Sequence, residues 1–166
     1  MRRIELDPRP NWERTIKQSG LIYSHSVRDD GTAVEYWNDG AAYVFTLPEV
    51  EKLEKQTEEL HRMSLEAARY MASGALGHLG LTPKAFELAQ WSLEQDEPDV
   101  YARFDLAYAG DGTPAKMLEY NADTPTGLIE ASLTQWFWLQ DRIKSGVLPP
   151  DTDQWNGLHE ALVERW

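Results

Sequence analysis

No cysteine occurs among the 166 residues. Disulfides, thiol catalysis and thiolate zinc sites are thereby excluded. No apolar run is long enough to cross a bilayer as a helix, so no membrane partner is expected. The opening Met1-Arg2-Arg3-Ile4-Glu5-Leu6 carries two cations without the apolar stretch of a signal peptide, which makes the cytoplasm the default compartment. Basic residues are scarce, 16 Lys and Arg against 28 Asp and Glu, for a net charge of -12. A nucleic-acid partner would need clustered Lys and Arg and is not expected. A nucleotide held through a metal remains compatible, because carboxylates hold the metal. An acidic surface also suits a cationic substrate, or simple solubility. The histidines, His25, His61, His78 and His159, show no metal-ligand spacing, and His61 reads as a surface or internally satisfied side chain. Gly74, Gly77 and Gly80 lack the following Lys-Ser or Lys-Thr of a phosphate loop.

What is present points to a packed domain, read as a single one over 1–166. Hydrophobic residues make up 42%, and seven Trp and seven Tyr supply large buried areas. Asn11 is placed to cap a short helix ending at Gly20, with short strands at Leu21–Tyr23 and Tyr43–Phe45 and a turn over Tyr36–Gly40. Thr46 and Pro48 open a long helix whose apolar positions, Val50, Leu53, Leu60, Met63, Ala67 and Tyr70, recur at helical spacing until Gly74. Thr82-Pro83 starts another helix. Two strands, Val100–Tyr108 and Lys116–Ala122, flank the turn-rich Gly110-Asp111-Gly112-Thr113-Pro114. A strongly apolar helix over Gly127–Lys144 follows and is expected to be buried on more than one side. Trp155–Trp166 begins a further helix with no cap behind it, from which we expect the natural sequence to continue, leaving apolar surface exposed on this segment. The fold class is α+β: a central antiparallel strand pair in a small mixed sheet with helices packed around it.

The strand pair carries the chemistry. Side chains alternate along a strand, so Arg103 and Asp105 share one face of the first strand, and Glu119 and Asn121 share one face of the second. A turn centred near Gly112 sets Asp105 opposite Glu119 and Arg103 opposite Asn121; any register of the same parity keeps all four together. Two carboxylates facing each other repel unless a positive charge lies between them. Arg103 offers part of that charge, and a magnesium ion completed by phosphate oxygens would offer more. The alternative is an amphipathic hairpin with its polar face in water. The apolar helix that follows argues for a central hairpin, whose polar groups then need partners. Ala122-Asp123-Thr124-Pro125-Thr126-Gly127 leads into that helix, where backbone N–H groups and two hydroxyls can seat an anion or where one side chain merely caps the helix.

Arg103-Phe104-Asp105, followed after a short loop by Leu118-Glu119-Tyr120-Asn121-Ala122-Asp123-Thr124-Pro125-Thr126, resembles the core of glutathionylspermidine synthase and its acid–amine ligase relatives. The resemblance extends through Leu128-Ile129-Glu130-Ala131 and back to Tyr36-Trp37 and Tyr43-Val44-Phe45. It implies the N-terminal part of an ATP-grasp synthetase that activates a carboxylate as an acyl phosphate for attack by an amine, with ATP as substrate and Mg2+ as cofactor. It further implies Asp105, Glu119 and Asn121 as metal ligands, Arg103 beside the transferring phosphoryl group, and Thr124 and Thr126 at the acid substrate. Small-molecule partners, glutathione and a polyamine among them, follow from the same resemblance. The family's synthetase module is more than twice this length, and its nucleotide-clamping lysines belong to later sequence. The 166 residues alone are therefore expected to be inactive, and a scaffold module that kept the fold without the chemistry is the competing reading.

Overall fold

The computed structural model describes all of residues 1–166. The α+β expectation holds. The strands, however, form three separate two-stranded antiparallel sheets instead of one mixed sheet. The chain separates into two compact units, Met1–Phe45 with Pro125–Trp166, and Thr46–Thr124. No helix is long and apolar enough to cross a membrane.

In the first unit, β1 (Arg2–Glu5) pairs with β4 (Ala41–Val44), and β2 (His25–Val27) pairs with β3 (Ala33–Glu35). The strand expected at Leu21–Tyr23 lies slightly later, at β2. Leu21 is instead a buried anchor after α1 (Trp12–Gln18), and Asp30 accepts from the Thr32 amide at 2.9 Å to turn the β2–β3 hairpin. A π-helical turn (Glu130–Thr134) runs into α4 (Gln135–Lys144), and α5 (Leu158–Arg165) packs on that turn. Burial on several sides is not what this helix shows. Trp138 and Leu139 are buried, whereas Trp136 and Phe137 are 39% and 46% exposed. Its buried side gives Trp138 and Arg142 to one polar cluster, and the opposite side is partly open to solvent. On the last segment Val163 and Trp166 are exposed, as expected.

That cluster centres on Asp39, 2% exposed. Its carboxylate accepts from Arg9 Nη2 at 2.7 Å, Arg9 Nε at 3.1 Å, the Arg9 amide at 2.7 Å and Trp37 Nε1 at 3.2 Å. Its carbonyl accepts from Trp138 Nε1 at 3.0 Å and Arg142 Nη2 at 2.9 Å. Burying ions is costly, and it is tolerated because nearly every polar atom is matched. Arg142 Nε is the one buried side-chain atom left without a partner, although its guanidinium lies 5.2 Å from the Trp138 ring.

The second unit consists of α2 (Leu47–Ala72), α3 (Pro83–Glu94) and the hairpin β5 (Ala102–Ala107) and β6 (Lys116–Ala122). Glu49 fixes the start of α2 by accepting from the Thr46 amide at 2.9 Å. Thr82 caps α3 through the Ala85 amide at 3.2 Å. Successive turns of α2 then grip the hairpin. Tyr108 donates to Glu49 at 3.3 Å, Lys52 donates to the Gly112 carbonyl, Gln56 accepts from the Ala115 amide at 2.9 Å, and His61 meets Tyr120 at 2.7 Å.

Truncating one member of a buried ion cluster strands the others. Asp39→Ala is expected to destabilise the protein by about 3–5 kcal/mol, read from urea unfolding. A loss under about 1 kcal/mol would mean that the buried arginines find replacement partners.

Candidate active site

The observed register pairs Asp105 with Glu119 and Arg103 with Asn121, as the turn at Gly112 predicts. The four side chains therefore share one face. Gly110 and Gly112, at φ 74° and 90°, supply the left-handed steps of the loop. Asp111 braces it by accepting from the Thr113 amide at 2.9 Å and hydroxyl at 2.6 Å.

Arg103 Nε donates to Asp105 Oδ1 at 2.9 Å. With its amide turned so that both ends are satisfied, Asn121 donates to Glu119 Oε1 at 3.1 Å and accepts from Arg103 Nη2 at 3.2 Å. The guanidinium thus bonds Asp105 directly and is linked to Glu119 through Asn121, and the bond to Asp105 raises its pKa above the usual arginine value. The face is not enclosed, contrary to the expectation of a central hairpin: the Arg103 and Asp105 side chains are 37% and 40% exposed. The reason is that α2 covers the opposite face of the strands. No three His, Asp or Glu side chains converge anywhere in the chain. Two carboxylates and an amide oxygen still suit a hard cation that draws its remaining ligands from phosphate and water.

The reverse face is aromatic and anchored. Phe104 and Tyr120 stack with centroids 4.1 Å apart and planes 13° from parallel. Such a pair contributes about 0.5–1.5 kcal/mol beyond its buried area. Tyr120 shares a 2.7 Å hydrogen bond with His61 Nδ1, and His61 Nε2 lies 3.6 Å from Asp99. Burial raises the Tyr120 pKa. His61, read from the sequence as a surface or internally satisfied side chain, is satisfied by the residue between Glu119 and Asn121. The only signal for that pairing was the approach of two distant segments, which one sequence does not display.

Asp123 stands at φ 47° and accepts from the Val100 and Tyr101 amides at 3.0 and 3.2 Å. It therefore closes the open end of the strand pair and does not cap the following helix. These bonds lower its pKa. Thr124 donates to its neighbouring Ala122 carbonyl at 3.2 Å and is exposed. Thr126 is likewise exposed and belongs to the first unit. The ladder also breaks its register between Asp105 and Leu106: Leu106 pairs with Met117, leaving Leu118 as an extra residue on β6. Nothing in the sequence pattern announced this bulge.

The chain is 38% identical over 170 residues to a Haemophilus influenzae protein named "Putative acid--amine ligase", matching along its whole length and spanning 41% of that protein. Residues 3–166 match the family described as glutathionylspermidine synthase preATP-grasp. This chain belongs to the glutathionylspermidine synthase preATP-grasp family.

Proposed function

We propose that this chain supplies the phosphate- and metal-contacting strand pair of an ATP-dependent carboxylate–amine ligase. One observation carries the reading: Asp105 and Glu119 stand directly opposite each other with Arg103 and Asn121 one pair further along. Facing carboxylates weaken a hairpin by themselves, so their pairing here is best understood as a cation site. Asp105, Glu119 and the Asn121 carbonyl would hold Mg2+, which supplies charge neutralisation at the phosphates of ATP. Arg103, always charged and able to grip two oxygens at once, stabilises the charge on the transferring phosphoryl group.

The reaction proceeds in two displacements. A carboxylate oxygen of the acid attacks the γ-phosphorus, and the bond to ADP breaks. The amine nitrogen then attacks the acyl carbon, phosphate leaves, and the nitrogen loses a proton to give the amide. Thr124 and Thr126 offer hydroxyls to the acid substrate. Glutathione and a polyamine are the acid and amine suggested by the family's description. The whole reaction belongs to a protein longer than this chain, since the relative is more than twice as long. The absence of cysteine and of a spanning helix suits a cytoplasmic setting.

Manganese binding by the 166-residue chain, followed by electron paramagnetic resonance, tests the cation site. Asp105→Asn and Glu119→Gln are each expected to weaken it by about tenfold or more, the effect of losing at least ~1.4 kcal/mol of interaction. Unchanged affinity in both would remove the pair from the site. Glu119→Gln carries a second signature. It removes one of two facing like charges, so metal-free stability is expected to hold or to rise by about 0.2–1 kcal/mol, measured by urea unfolding. A clear loss would show that Glu119 serves the fold and not a ligand.

A further inference from the structure

On a regular strand, Lys116 would share a face with Leu118 and Tyr120, the side that meets α2. The bulge changes this. Beyond Leu118 the ladder pairs Leu106 with Met117 and Ala107 with Lys116. Along β5 the alternation is unbroken: Phe104 stacks on Tyr120, which bonds α2, and Tyr108 reaches Glu49 on the same helix. Ala107 therefore lies on the face of Arg103 and Asp105, and its partner Lys116 lies there too. One extra residue has moved a lysine from the helix side to the ionic side.

We infer that Lys116 is a phosphate-binding residue of this site, which the bulge at Leu118 delivers to the face of Arg103, Asp105 and Glu119. The inference rests on the reading of that face as a phosphate and cation site. Three facts support it. The Lys116 side chain is exposed and makes no hydrogen bond or ion pair, so its ammonium is available. It lies two residue pairs from Asp105 and Glu119, about 7 Å along the strand, a span that its four-carbon stem can cover. And Ala107, opposite it, has only a methyl side chain, which leaves room over the strand. Arg103 is engaged by Asp105 and Asn121. Lys116 is the second cation on this face and the one not already committed to a carboxylate. A chain of phosphates entering beside a carboxylate-held cation needs such a charge at its far end. Bulges recur next to active sites because they re-aim side chains in this way.

The test is calorimetric binding of tripolyphosphate to the 166-residue chain in the presence of Mn2+, with Mn2+ alone, inorganic phosphate and ATP as parallel arms. Lys116→Met is expected to weaken tripolyphosphate and ATP binding by about tenfold, the effect of one charge-assisted contact, while Mn2+ alone binds as before. Lys116→Arg should restore most of the loss. Inserting one alanine between Asp105 and Leu106 gives Leu118 a partner and returns the lysine to the helix side, so it should reproduce the Lys116→Met defect, provided circular dichroism shows the insertion variant folded. Lys116→Met stands as the test if it does not. Equal tripolyphosphate affinity in wild type and Lys116→Met overturns the inference and leaves the cation site standing. A chain that binds neither Mn2+ nor tripolyphosphate overturns both. Inorganic phosphate bound as tightly as tripolyphosphate would also overturn it, since a lone anion does not need the second cation.

Discussion

The parity of one antiparallel ladder governs the functional content of this chain. With Asp105 set against Glu119, every residue of the β5–β6 pair is assigned a side: ions on one, Phe104 and Tyr120 on the other. A slip by a single residue would exchange these faces, turning carboxylates toward α2 and aromatic rings toward water. The register is therefore held from several directions at once. Asp123 closes the open end against the Val100 and Tyr101 amides, Asp111 braces the loop, and α2 takes hold through Glu49, Lys52, Gln56 and His61.

The local irregularities sit where the ladder alone would not serve. The bulge falls beside Glu119, on the strand whose ionic side carries Glu119 and Asn121. Backbone bonding is weakest there. The stacked Tyr120, pinned by His61 from behind, compensates by fixing the strand between Glu119 and Asn121. The stiff aromatic side and the adaptable ionic side are thus two aspects of one hairpin. In this arrangement Arg103 offsets one of the two facing negative charges, which limits their repulsion.

Much of this was legible in the sequence, for local reasons. Alternation along Ala102–Ala107 and Lys116–Ala122 and the glycines of the loop determine the face and the register. Thr46-Leu47-Pro48 and Thr82-Pro83 mark α2 and α3 by the chemistry of helix starts. What stayed hidden depends on contacts between distant segments. Asp39, which lies in what reads as an ordinary turn, is the buried centre of the first unit because Arg9 and Arg142 converge on it. Trp136 and Phe137 look like core by composition, yet the helix spends its buried side on that cluster and leaves them partly open to solvent. The bulge was invisible because Leu118 fits the alternating pattern perfectly well as a residue type; only the pairing shows that it is one too many.

The order of the two units along the chain carries a consequence for synthesis. The unit bearing the hairpin is continuous, Thr46–Thr124, whereas the other is assembled from both ends of the sequence. Arg142, which binds the carbonyl of Asp39, follows it by 103 residues. At ribosomal speeds of about 5–20 residues per second, that interval is roughly 5–20 seconds. The carboxylate of Asp39 and the guanidinium of Arg9 must wait that long, still in water, for the segment that seals them from it. All the residues of the hairpin-bearing unit have by then left the ribosome's peptidyl-transferase centre.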